Sequence, residues 1–102
     1  MNYEKRARVL KALAHPARLR ILRELCVERT NVTALCERVG LPQPTVSRHL
    51  AVLRNAGIID GERHGLEVDY HFECEKMSGF IRAILQDEES DLSPPPRKDD
   101  AP

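Results

Sequence analysis

Pro42 to Gly57, PQPTVSRHLAVLRNAG, is the stretch whose reading decides the fold. Val46, Leu50 and Leu53 recur at steps of four and three, which draws one apolar stripe along a helix. Gln43, Thr45, Ser47, Arg48 and His49 carry side chains that donate or accept hydrogen bonds, as a base edge or a phosphate requires. Pro44 suits the first helical turn, where its missing N–H is not needed, and Gly57 suits the position just past the end. Such a helix has the make-up of a recognition helix. A plain solvated surface helix shows the same pattern, so its surroundings decide between the two.

Working backwards, only Leu41 and Pro42 separate this helix from a preceding one that holds Leu35, Cys36 and Val39 and ends at Gly40. Two short helices joined by a tight glycine-containing turn form a helix-turn-helix. Thr33 is the expected N-cap of the earlier helix, and Thr30-Asn31 ends the one before it. That second helix starts at Pro16, after the break at His15-Pro16. It sets Leu19, Leu22 and Cys26 on one face and Arg18, Arg20 and Arg23 on the other. A first amphipathic helix carries Tyr3, Ala7, Leu10 and Ala14 with Val9 and Leu13 beside them.

Working forwards, residues 58–62 and 66–72 read as two strands around a hairpin tip at Arg63-His64-Gly65. In the second strand Leu66, Val68, Tyr70 and Phe72 alternate with Glu67, Asp69 and His71. A last helix sets Met77, Phe80, Ile81, Ile84 and Leu85 on one side. The expected architecture is therefore mainly α (α+β), a winged helix-turn-helix with a two-stranded wing. It spans residues 1–88, and a disordered acidic, proline-rich tail spans 89–102.

The 102 residues carry a formal net charge of zero, but the charge is segregated. Residues 1–65 hold twelve Lys and Arg against six acids, +6, and the remainder holds four against ten, −6. A basic half points to nucleic-acid contact, while the neutral total limits non-specific affinity. No run approaches the roughly 18 apolar residues of a membrane span, and the N-terminus lacks a signal-peptide core, so a cytoplasmic protein with no membrane partner is expected. Three scattered cysteines, Cys26, Cys36 and Cys74, make no disulfide scaffold, and reduced thiols are the default.

The stretches KALAHPARLRILREL (11–25), QPTVSRHLAVLRNAGIIDGERHG (43–65) and VDYHF (68–72) resemble the ArsR/SmtB family of bacterial repressors. The resemblance covers roughly residues 5–86 and implies a homodimer joined through its first and last helices, with an effector that releases operator DNA. Leu10, Phe80, Ile81, Ile84 and Leu85 are the expected interface residues. Carried over residue by residue, Gln43, Thr45, Ser47, Arg48 and His49 would meet the major groove or its phosphates. Arg54 would lie alongside, and Arg63 and His64 would reach the adjacent backbone or minor groove. Pro42 stands where the family more often has a serine-like cap.

Metal-sensing members have a Cys-x-Cys pair entering the third helix or Asp and His pairs along the last. This chain has Asn31-Val32-Thr33 at the first place, no histidine from Glu75 to Glu88, and His71 without partners. No metal site and no cofactor is expected. Cys26 in the second helix and Cys74 before the last resemble the arrangement in thiol-switch members, so a reactive-sulfur or oxidant effector is the leading expectation. A soft-metal site of Cys26, Cys36 and Cys74 is the alternative. Packing alone also explains each thiol. Catalysis finds no support: Ser47 and His49 are two residues apart on a helix and do not face each other. A winged helix used as a protein-interaction module remains the other class of function.

Overall fold

A computed structural model describes residues 2–86. Five helices and three short strands follow in the order α1 (Tyr3–Leu13), α2 (Pro16–Val27), β1 (Thr30–Asn31), α3 (Val32–Val39), α4 (Gln43–Asn55), β2 (Ile59–His64), β3 (Glu67–Phe72) and α5 (Glu75–Ile84). The expected tail from residue 89 lies outside the described residues. No helix among those described is long and apolar enough to cross a membrane.

The core is one cluster to which every helix contributes. Leu13 of α1, Ile21, Leu22 and Leu25 of α2, Leu35 and Val39 of α3, and Val46, Leu50 and Leu53 of α4 are buried together with Ile58, Ile59 and Ile81. The step-of-four and step-of-three spacing in α4 thus does what it implies, and it fixes which side of the helix remains outside. The turn before α4 depends on Gly40, whose φ of +70° is left-handed, a conformation costly for residues with a Cβ. Arg20 reinforces the turn by donating from Nη2 to the Val39 carbonyl at 2.8 Å, an otherwise open acceptor at the end of α3. With Pro42 at its N-cap position, α4 has no side-chain cap. The Pro42 carbonyl instead accepts from the Thr45 and Val46 N–H groups at 3.1 and 3.0 Å.

The sheet has three strands, not two, in the order β1-β3-β2 and antiparallel throughout. Thr30 lies opposite Tyr70 and Asn31 opposite Asp69, so the segment expected only to end the second helix also pins the wing to the helical body. Asn31, rather than Thr33, caps α3, its Oδ1 accepting from the Ala34 N–H at 2.9 Å. Its extended backbone in β1 is the geometry that an N-cap needs.

The hairpin tip also moves. His64 still pairs with Glu67, which leaves Gly65-Leu66 as a two-residue turn. Gly65 has φ +65° and no non-glycine residue among those described has positive φ, the pattern of a II′ turn. Leu66 is fully exposed there, so it does not share the inward face of Val68, Tyr70 and Phe72.

One expected interface residue is corrected. Ile81 is 0% exposed and belongs to its own protomer's core, because α5 turns that side toward α2. Phe80 remains 45% exposed, and Ile84 and Leu85 are half-buried. On α1, Tyr3 (76%) and Leu10 (55%) stand exposed together with Ala7 and Ala14. At steps of four, three and four, these four residues form one uncovered apolar stripe.

Candidate nucleic-acid interface

Burial of Val46, Leu50 and Leu53 turns Pro44, Ser47, Arg48, Ala51 and Asn55 of α4 to solvent. No residue from Gln43 to Asn55 is acidic. Gln43 is exposed beside this face and Thr45 half-buried on its edge. Arg48 makes no ion pair among the described residues. A guanidinium held free on the outer side of a rigid helix can donate two parallel hydrogen bonds to a guanine edge or to a phosphate.

His49 lies away from that face. It is half-buried toward the α1–α2 junction, where its Nδ1 accepts from Arg18 Nε at 3.2 Å. Its ring centroid is 4.6 Å from that of His15. His15 in turn caps α2, its Nδ1 accepting from the Ala17 N–H at 3.1 Å. With Nδ1 of His49 occupied as an acceptor, the neutral ring carries its proton on Nε2. Burial, and then the neighbouring His15, Arg18 and Arg48, push its pKa below the usual imidazole value. His49 is therefore a neutral donor, fixed in place by a residue 31 positions earlier.

The wing flanks α4 on one side. An open cleft of about 210 Å³ there is lined by Ser47, Leu50, Ala51, Arg54, Asn55 and Tyr70. Arg54 and Arg29 on this side already face acids, and the His64 ring lies near two. Arg54 lies 3.6 Å from Asp60, Arg29 lies 3.4 Å from Glu62, and His64 lies 3.7 Å from Asp69 and 3.9 Å from Glu62. Arg63 is exposed and makes no ion pair among the described residues. On the other flank a cleft of about 310 Å³ lies between α1, α2 and α4, lined by Arg8, Lys11, Ala12, Arg18, Val52, Asn55 and Ala56. Ala51 and Asn55 are the parts of the outer face that the sequence reading passes over. Their signal was the i, i+4 row Ser47-Ala51-Asn55.

The three thiols are free and do not form one site. Cys26 and Cys36 are half-buried against the core, whereas Cys74 is exposed at the N-cap position of α5. Burial raises the Cys26 pKa against a smaller opposing pull from Arg82. Among the described residues no three His, Cys, Asp or Glu side chains come together to hold a metal ion. A site of Cys26, Cys36 and Cys74 within one protomer is thus contradicted, because α2, α3 and the start of α5 present these thiols separately.

Helix-turn-helix, exposed acid-free α4 and hairpin wing together define a winged helix-turn-helix DNA-binding module. The bacterial regulatory protein arsR family matches residues 15–60. The transcriptional repressor PagR of Bacillus anthracis is 39% identical over 85 residues, which cover 82% of this chain and 85% of that protein. The HTH-type transcriptional repressor SmtB of Mycobacterium tuberculosis is 44% identical over 73 residues. That match covers 72% of this chain and 54% of SmtB, so the chain spans about half of that relative's length. Among solved structures, the homodimeric winged helix-turn-helix domain of a possible ArsR-family regulator from Mycobacterium bovis superposes with a TM-score of 0.78 at 29% identity. It covers 80% of this chain and 76% of that one. The chain belongs to the ArsR/SmtB family. It is a DNA-binding transcription regulator, not an enzyme.

Proposed function

We propose that the protein represses transcription as a homodimer that sets two copies of α4 into successive major grooves of an inverted-repeat operator. The observation that carries this reading is the exposed, acid-free outer face of α4, with Arg48 at its centre making no ion pair among the described residues. Gln43, Thr45, Ser47 and Arg48 lie where the groove would pass, and Arg63 at the wing, with no ion pair among the described residues, is the cation for the neighbouring backbone. His49, tethered to Arg18, supports that face from its edge. Dimerisation is supported by the uncovered stripe of Tyr3, Ala7, Leu10 and Ala14 on α1 together with Phe80, Ile84 and Leu85 on α5. Apolar surface of this kind on a small domain needs a partner. The homodimer of the Mycobacterium bovis neighbour agrees with this. Chromosomal DNA as the partner places the working protein in the cytoplasm.

The test is affinity for a duplex from upstream of its own gene against a random duplex of equal length, with light scattering at the same concentration. A dimer that prefers the operator by about 10³-fold or more is expected. Equal affinities would return the protein to a protein-interaction role.

Release by thiol chemistry has one supporting observation. Cys26 packs where α2 meets α5, between the DNA-binding core and the interface helix, and Cys74 begins that helix. Modification there would press on the dimer contact. Polysulfide and oxidant should release wild-type DNA complexes but not those of Cys26→Ser and Cys74→Ser proteins. Release unchanged in both variants would reduce the cysteines to packing residues.

A further inference from the structure

The cleft between α1, α2 and α4 is lined by three cations, Arg8, Lys11 and Arg18, and by no acid. Its apolar floor is formed by Ala12, Val52 and Ala56. Arg18 is fixed at the back, donating from Nη1 to the Ala12 carbonyl at 3.2 Å and from Nε to His49. Arg8 and Lys11 are exposed on α1 and make no ion pair among the described residues. Three positive charges line one cleft with no acid beside them among the described residues, which is an arrangement that favours an anion. Its position says which anion, because Asn55 lines this cleft and also belongs to the outer face of α4.

We infer that this cleft is a second DNA contact, which holds the phosphate backbone beside the groove entered by α4 and makes α1 part of the DNA-binding surface. The inference rests on the DNA-binding reading above and adds to it a site on a different element. Arg8 and Lys11 lie one residue from the Tyr3-Ala7-Leu10-Ala14 stripe, so about 100° of helix rotation separates them from the dimer seam. The cleft consequently sits between the recognition helix and the two-fold axis. In the dimer its two copies face the spacer between the half-sites. The contact carries no base information, and its work is to set affinity and register. On the wing side, by contrast, Arg29 and Arg54 already face acids.

The test compares an R8Q/K11Q protein with a charge-matched K5Q/R6Q protein, whose altered residues leave α1 outside the cleft. Affinities for operator and random duplex are measured across a salt series. Operator preference of the wild type checks the DNA-binding reading independently. R8Q/K11Q is expected to weaken both duplexes alike, roughly tenfold per lost contact at 0.1 M salt, and to flatten the log–log salt slope by about one to two. Its operator-to-random ratio should stay at the wild-type value. If R8Q/K11Q matches K5Q/R6Q in slope and affinity, the cleft contact is refuted. A second arm uses wild-type protein on operators with neutral methylphosphonate linkages in the spacer. These should bind the wild type more weakly and cause the R8Q/K11Q protein no further loss. If spacer neutralisation has no effect while inorganic phosphate at constant ionic strength displaces DNA from the wild type only, the cleft is a free-anion site and the inference fails.

Discussion

The two flanks of α4 differ in how their cations are balanced. Toward the wing, Arg54 and Arg29 face Asp60 and Glu62. Toward α1 and α2, Arg8, Lys11 and Arg18 line a cleft that no acid lines among the described residues. A paired surface cation must give up its acid before it meets a phosphate, so its net contribution to binding shrinks. A chain of zero net charge can therefore still hold DNA firmly if its free cations lie on one side of the recognition helix.

The largest expected effect lies at the seam that aligns two copies of this asymmetry. Phe80→Asp places a charge on the exposed part of the α5 face. Light scattering should show monomer, and operator affinity should fall on the order of 10²-fold or more as the second half-site is lost. A dimer with intact affinity would move the seam elsewhere. Arg48→Ala comes next, at about 1–3 kcal/mol on the operator. If Arg48 reads a base, a binding-site selection should show relaxed preference at one position, whereas an unchanged selection would make it a phosphate contact.

Arg63→Ala tests the wing at an arginine that makes no ion pair among the described residues. A salt slope smaller by about one, with operator and random duplex affected alike, is expected, less than the change from the opposite flank. A larger change than that of R8Q/K11Q would reverse the comparison. Asp60→Asn releases Arg54 and should tighten both duplexes by up to about 1 kcal/mol, as direct titration would show. Weaker binding would mean that Asp60 positions the wing.

The smallest effect is pH-dependent. The folded protein holds a proton on His49 less tightly than the unfolded chain does, so stability rises with pH between the two pKa values. The contribution is fully present above the ordinary imidazole pKa and declines as pH falls through it. Melting temperatures from pH 7.5 to 5.5 should therefore drop more for wild type than for His49→Gln. Equal drops would show that the His49 environment is not coupled to folding.

What the sequence revealed follows the range of the interactions involved. The stripe Val46-Leu50-Leu53 is local and periodic, and with it came α4, its exposed face and the helix-turn-helix. The pairing of Thr30 and Asn31 with Tyr70 and Asp69 joins two-residue β1 to a strand some 40 residues away, and no local pattern announces it. Residue type alone puts His49 on the outer face, but the Arg18 hydrogen bond and the His15 ring hold it elsewhere. Ile81 shows the same limit, since apolar residues on one side of a helix do not reveal which of them the protomer itself covers. The basic cleft needed three separate stretches brought together, although each of its cations was visible as a charge.

The most direct measurement is a hydroxyl-radical footprint of the wild-type dimer on its operator. Free cations on the α1 side of α4 predict protected backbone in the two half-sites and in the spacer between them, with weaker protection outside, where the wings lie. Protection confined to the half-sites and their outer edges, with a fully reactive spacer, would contradict this assignment of the two flanks.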